Sequence, residues 1–192
     1  MSKILDSAIS FYKTREKDKS GAFTHARIIL RNSKKAISRL HYEDWKTAET
    51  LLAEAQASFG ALRKTIAKNK KIKYEGFVRE GLEEFAEANL YLSFLKTNKP
   101  DLDKKIIDFV SDDPDVLIGG LCDFTGEATR RAVRIAGKER LTELVAISET
   151  VNQIIEGLLE IDLSGYVRTK FDQAKRNAHK LEMMIYEIRI RS

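Results

Sequence analysis

The stretch "REGLEEFAEANLYLSFLK", residues 79–96, decides the fold class. Leu82, Phe85 and Leu92, with Val78 just before it and Asn89 completing the row, recur in steps of three or four, the spacing of one helix face. Four carboxylates, Glu80, Glu83, Glu84 and Glu87, are threaded through the same two turns. A helix that packs on one side has no ordinary need for so much negative charge in one place, so the stretch also poses the functional question.

The rhythm continues outward. Phe23, Ala26, Leu30, Ser33, Ile37 and Leu40 predict a helix over 21–42, and Ile4 to Tyr12 a separate short helix or an arm. Leu52, Ala55, Phe59, Leu62 and Ile66 predict a second long helix that ends in the basic "KNKKIK". The third begins near Tyr74 and runs to about Thr97, where "TNKPDLD" supplies a stop and the Asp of a new start for the short apolar group Ile106 to Val110. Asp113 can cap and Pro114 can open the next helix, which carries Leu117, Leu121, Phe124, Ala128, Ala132 and Ile135 and ends near Gly137. Leu144 to Leu158 and Val167 to Ile188 mark two more. There is no persuasive strand, linker or repeat, so the expected fold is all-α, a single-domain bundle of about six to seven helices over residues 1–192. Gly119 and Gly120 each lower helix propensity by up to about 1 kcal/mol, which points to close backbone packing or ligand approach at that place.

Composition narrows the class without naming a site. Charged residues make up 33% of the chain with only two prolines and ten glycines, against disorder and against a turn-rich β fold. The net charge of +5 permits nucleic acid as a partner without demanding it. Cys122 is the one cysteine, so no intrachain disulfide can form, and the three histidines at 25, 41 and 179 are too scattered for a zinc cluster. No window holds 18 uncharged apolar residues, and the N-terminal segment lacks a signal-type apolar core. The expectation is a cytoplasmic protein with no membrane partner. Helices this long leave apolar stripes that one domain of this size cannot cover, which predicts a homo-oligomer to which the last helix, with Tyr166 or Tyr186, contributes.

The charges form three patterns. Glu80, Glu84 and Glu87 stand at i, i+4 and i+7, and Asp123 and Glu127 at i, i+4 on the glycine-bearing helix. Facing carboxylates repel unless protons, arginines or a divalent cation compensate them, and oxygen-only ligands favour Mg²⁺ or Mn²⁺ over zinc. In the alternative, Glu80 and Glu83 face solvent while Asp123 and Glu127 pair with Arg130, Arg131 or Arg134. The third pattern is basic: Arg27, Arg31 and Lys34 at i, i+4 and i+7, with Lys35 beside them and His41 two turns on, a row that could follow phosphates or merely be solvated. The tract Lys64 to Lys73 is denser but sits at a helix end, where cations also satisfy the dipole.

The segment "GGLCDFTGEATRRAV" closely resembles the "GLxDLTGE(L/A)xR" signature of the translin and TRAX family. "EGFVREGLEEFAEANLYLSFLK" resembles that family's preceding acidic helix, and the likeness continues to the C-terminal "AHKLEMMIYEIRIR". Phe124 stands where leucine is commoner, and Cys122 takes a small-residue position. The resemblance implies an all-helical subunit of a hollow octameric shell with RNA held inside.

Within the family the TRAX branch cleaves RNA with Mg²⁺ and the translin branch binds nucleic acid without the full carboxylate set. The resemblance carries the catalytic and metal-binding carboxylates onto Glu84 and Glu87 in "EEFAEA" and Asp123 and Glu127 in "DFTGE", and leaves Glu83 a neighbour. It implies a TRAX-like Mg²⁺-dependent endoribonuclease, with Mn²⁺ as the alternative ion and Arg27, Arg31, Lys34 and Lys35 holding RNA, single-stranded or duplex, or single-stranded DNA. The competing expectation is a translin-like oligomer that binds RNA or single-stranded DNA without turnover.

Overall fold

The computed structural model describes residues 2–136 and 140–191, and among these every regular element is helical. Helix α1 spans Ser2–His41, α2 Trp45–Lys68, α3 Gly76–Thr97, α4 Lys104–Val110, α5 Pro114–Ile135, α6 Leu141–Leu159 and α7 Gly165–Arg191, with a 3₁₀ turn at Lys70–Tyr74. The segment Ile4 to Tyr12, expected as a separate helix or an arm, is helical but no separate element. With no proline and no glycine before Gly21, the helix beginning at Ser2 continues straight into the buried part of α1. Residues 3–17 are all exposed, so α1 overhangs the bundle and leaves Ile4, Leu5, Phe11 and Tyr12 in solvent. The expected end of α5 near Gly137 lies outside the described residues.

Local chemistry sets the ends of the elements. The Asp44 carboxylate accepts from the Thr47 backbone N–H at 3.3 Å and opens α2. Asn98, at φ 57°, closes α3 in the left-handed conformation that its short polar side chain tolerates. Asp103 opens α4 by accepting from the Lys105 N–H at 2.7 Å. Asp113 does precede Pro114 at the start of α5, but its carboxylate does not cap the helix. It accepts instead from Arg79 of α3, with Nη2 to Oδ1 at 2.9 Å. That exchange ties the start of α5 to α3.

The architecture is a row of neighbours, α1 on α3, α3 on α5 and α5 on α7, with α2 against α1 and α6 against α5 and α7. Contacts climb both partners together, as in Ala26 with Gly81, Lys34 with Glu84 and His41 with Tyr91, so α1 and α3 run parallel. Glu83 with Gly119 and Phe94 with Phe124 make α3 and α5 parallel as well. The intervening elements return the chain between row members. One apolar core runs through the row, built on Phe59, Leu82, Phe85, Tyr91, Phe94 and Phe124, each 1% exposed or less. A smaller one under α5, α6 and α7 holds Cys122, Leu158, Val167 and Phe171. Among the described residues no helix is long and apolar enough to cross a membrane.

Phe94 and Phe124 meet edge to face, with ring centroids 5.6 Å apart at 70°, between the two helices that carry the acids. Phe124→Ala should cost about 3–5 kcal/mol of stability, the usual loss for a fully buried phenylalanine. Chemical denaturation checks it, and a loss below about 1 kcal/mol would show that this contact does not hold α3 to α5.

Candidate active site

The site begins with a backbone contact. A Cβ at Gly120 would lie 3.0 Å from the Ala86 Cβ, 3.2 Å from the Glu83 carbonyl oxygen and 3.4 Å from the Glu87 nitrogen, so α5 rests against the α3 main chain there. Close packing is therefore what the glycine serves. One turn on from this approach, Glu84 and Glu87 of α3 come into electrostatic range of Asp123 and Glu127 of α5.

Charge and burial act together on the four acids. Burial, opposed by Lys34 and Lys170 and reinforced by the negative charges of Asp123 and Glu127, pushes the Glu84 carboxyl up to about 7. Glu87 is only 7% exposed, and burial followed by Glu84, Asp123 and Glu127 pushes it up to about 9. Glu127 goes the other way. Its burial is more than offset by the hydrogen bond and charge of His41 and by Arg130, which hold its carboxyl below the usual range.

Each acid rim has a cation. The Lys170 ammonium, from α7, contacts Asp123 and lies 3.6 Å from Glu83. His41, at the end of α1 and 1% exposed, contacts Glu127 through Nε2, while its Nδ1 lies 3.0 Å from the Tyr91 hydroxyl. Nε2–H donates to Glu127, and Nδ1 shares with the Tyr91 hydroxyl a hydrogen bond whose direction follows the protonation of the ring. Arg130 reaches Glu127 at 3.5 Å, and Lys34 reaches Glu84 at 3.7 Å.

Several sequence expectations change. Glu83 is neither solvent-facing nor a mere neighbour: it is 8% exposed and accepts from the Tyr166 hydroxyl at 2.9 and 3.1 Å. Glu80, by contrast, is exposed and turns toward a cleft of about 270 Å³ that it lines with Arg79, Asp115 and Tyr166, so the i, i+4, i+7 acid row divides. His41 leaves the basic row because its ring is buried against Glu127, whereas Arg27, Arg31, Lys34 and Lys35 stay exposed. Of the arginines considered for Asp123 and Glu127, Arg130 does reach Glu127. Arg131 binds Glu143 at 2.9 Å and Glu43 at 3.1 Å, and Arg134 lies over the Tyr42 ring. The Lys64 to Lys73 tract is not a uniform surface either, since Lys73 is buried on Asp112 and the Phe109 carbonyl.

Sequence reasoning missed Lys170 and the roles of Tyr166 and His41. Tyr166 and Lys170 do share an i, i+4 face, but nothing local announces which acids they meet. Among the described residues no group of three or more His, Cys, Asp or Glu side chains is gathered closely enough to cage an ion. The donor set is nevertheless one that suits a hard divalent cation: four carboxylates, no sulfur, and two of them raised by burial and by their neighbours' charge.

Comparison with solved structures gives the same architecture. The crystal structure of apo-NeC3PO superposes with a TM-score of 0.83 at 21% identity, over 96% of each chain. An AfC3PO–duplex RNA complex gives 0.83 at 18% identity, over 97% of this chain and 96% of that one. AfC3PO by itself gives 0.79 at 17% identity over 96% of each. Among curated proteins none matches the chain in sequence. The family model described as Translin family matches residues 15–192, and it takes in every described α-helix from the exposed part of α1 onward. The chain belongs to the Translin family.

Proposed function

We propose that the protein is a TRAX-like, Mg²⁺-dependent endoribonuclease that binds RNA within a homo-oligomer. The observation that carries this reading is the α3–α5 contact at Gly120, which sets Glu84 and Glu87 against Asp123 and Glu127 at a place where no apolar packing needs four acids. Those four residues would hold Mg²⁺, or Mn²⁺. Bound there, the ion would supply charge neutralisation at a phosphate oxygen and a more acidic water for phosphodiester hydrolysis.

The chain's own residues account for substrate placement. Arg27, Arg31, Lys34 and Lys35 are exposed on α1, and Lys34 ends within 3.7 Å of Glu84. A backbone following that row arrives at the carboxylates. The AfC3PO–duplex RNA complex supports duplex RNA as a ligand, with single-stranded RNA and single-stranded DNA as the competitors to include. The exposed apolar residues of the α1 overhang, with Leu159, Tyr186 and Ile190, support a homo-oligomer, and an octamer is the size to test by light scattering. A non-catalytic RNA-binding oligomer is the second reading. It is favoured by Lys170 and His41, which already occupy acceptor oxygens of Asp123 and Glu127.

Incubation with single-stranded RNA, matched DNA and duplex RNA under Mg²⁺, Ca²⁺ or EDTA separates the two. Cleavage of single-stranded RNA is expected with Mg²⁺ and little on DNA. No cleavage of any RNA with divalent cations leaves the binding oligomer standing. Glu84→Gln and Asp123→Asn should cut more than about a hundredfold more slowly, since even groups behind a metal's ligands matter at about 10- to 100-fold. Both should keep fold and RNA affinity, and Mg²⁺ should raise their unfolding temperature less than it raises that of the wild type.

Replacing Arg27, Arg31 and Lys34 together should weaken RNA binding and flatten its salt dependence, by up to about 0.9 in log–log slope for each duplex phosphate that loses its cation. An unchanged slope would place the RNA track elsewhere.

Glu87 also predicts a pH dependence without metal. Its carboxyl is raised from 4.5 to about 9, so across that window the folded chain binds more protons than the unfolded one. Stability in EDTA should then fall as pH rises from about 5 to 9, and Glu87→Gln should flatten the decline. Thermal unfolding at several pH values reads this directly, and parallel wild-type and variant curves would contradict it.

A further inference from the structure

Lys170 stands between two acids with different surroundings. Asp123, 31% exposed at its side chain, belongs to the carboxylate set. Glu83 lies beside that set and is fixed. The Tyr166 hydroxyl donates to its two oxygens at 2.9 and 3.1 Å, and its side chain fills the space that Gly119 leaves empty. A Cβ at Gly119 would fall 1.6 Å from Glu83 Oε1, and its three nearest neighbours would all be atoms of the Glu83 side chain. Gly119 thus makes a slot for a carboxylate, whereas Gly120 makes room for backbone. The Lys170 ammonium contacts Asp123, lies 3.6 Å from Glu83 and sits 5.3 Å from the centre of the Tyr166 ring.

We propose that Lys170 is a resident counter-cation that exchanges between Asp123 and the slot-held Glu83, so that Glu83 sets how readily the carboxylate set accepts a divalent cation. The proposal rests on the metal-binding reading above and makes Lys170, Glu83 and Tyr166 positioning residues. An ammonium on Asp123 occupies an acceptor oxygen and repels a second positive charge at the same place. Glu83 gives that ammonium another seat, fixed in advance by Tyr166 and Gly119. Removing Lys170 should therefore favour cation binding. Removing the negative charge of Glu83 should commit Lys170 to Asp123 and disfavour it.

The test is Mn²⁺ binding, read by the loss of free-ion paramagnetic resonance signal on full-length protein without RNA, with thermal unfolding as a check on folding. Lys170→Met should bind Mn²⁺ about three- to tenfold more tightly, and Glu83→Gln less tightly by a similar factor, as partly buried charge pairs of this kind allow. Lys170→Arg keeps the charge and should return toward wild type. Gly119→Ala puts a methyl group where Glu83 Oε1 lies and should weaken Mn²⁺ binding as Glu83→Gln does, without loss of helical content. In the double variant the effect of Glu83→Gln should largely vanish, since that effect runs through Lys170. A Lys170→Met variant that folds yet binds Mn²⁺ more weakly overturns the proposal, as does a Glu83→Gln effect of equal size with or without Lys170. Wild-type Mn²⁺ binding that disappears in Asp123→Asn but is indifferent to Lys170 and Glu83 leaves the metal reading intact and removes this inference alone. No Mn²⁺ binding in any variant removes both.

Discussion

The contact on which the site depends is the seating of α5 on the α3 backbone at Gly120. At a 3.0 Å approach to the Ala86 Cβ there is no room for a side chain, and the helices close until the acids on their adjoining faces feel one another's charge. The cost of that closure is electrostatic. Glu84 and Glu87 are driven up to about 7 and about 9, so the folded chain holds them partly or wholly protonated unless a cation is near. Phe94 against Phe124 and Arg79 on Asp113 and Asp115 hold the two helices together around this repulsion. Packing pulls inward where charge pushes outward, and a ligand that binds the acids would relieve what packing opposes.

The basic side chains that meet the acids come from both ends of the row. α1 supplies Lys34 and His41, seven residues apart on one face, and they meet Glu84 and Glu127. α7 supplies Lys170. The inner pair α3 and α5 carries the negative charge and the outer helices carry the positive charge, which makes the site a property of the whole row and of no single hairpin. Tyr91 shows how deep this goes: its hydroxyl, inside the core, orients the imidazole that reaches Glu127. His41 is therefore better understood as part of the carboxylate environment than as part of the basic face its spacing suggested.

What could be read beforehand follows from the range of the physics involved. The helices were legible because burial on one face leaves a 3.6-residue rhythm, and Asn98, Asp103 and Pro114 mark ends by local chemistry. The overhang of α1 was not, since exposed helix has no rhythm to read and only the absence of breakers joins residues 3–17 to the rest. The pairs Glu84/Glu87 and Asp123/Glu127 were visible as spacings, and the translin and TRAX resemblance selected them over Glu80, which the structure turns into a different cleft. Lys170 and His41 were not visible, because they lie 47 and 86 residues from their partners. Asp113 was misjudged as a cap because Arg79, 34 residues earlier, competes for it.

Glu83 carries the general lesson of the adjacent glycines. Successive residues on a helix point about 100° apart, so Gly119 and Gly120 cannot serve the same contact. Gly120 faces the α3 backbone and sets the distance between helices; Gly119 faces the Glu83 side chain and sets where one carboxylate can go. In sequence both are the same departure from helix propensity, and "close packing or ligand approach" was as far as that signal reached. Only the structure separates them. Of the two, Gly120 is the one on which the fold of the site depends, while Gly119 acts solely through the Glu83 side chain. A substitution at Gly119 can therefore alter charge placement without altering architecture. That makes the Glu83 slot the place where the hold on Lys170 can vary while the four acids and the bundle that presents them stay unchanged.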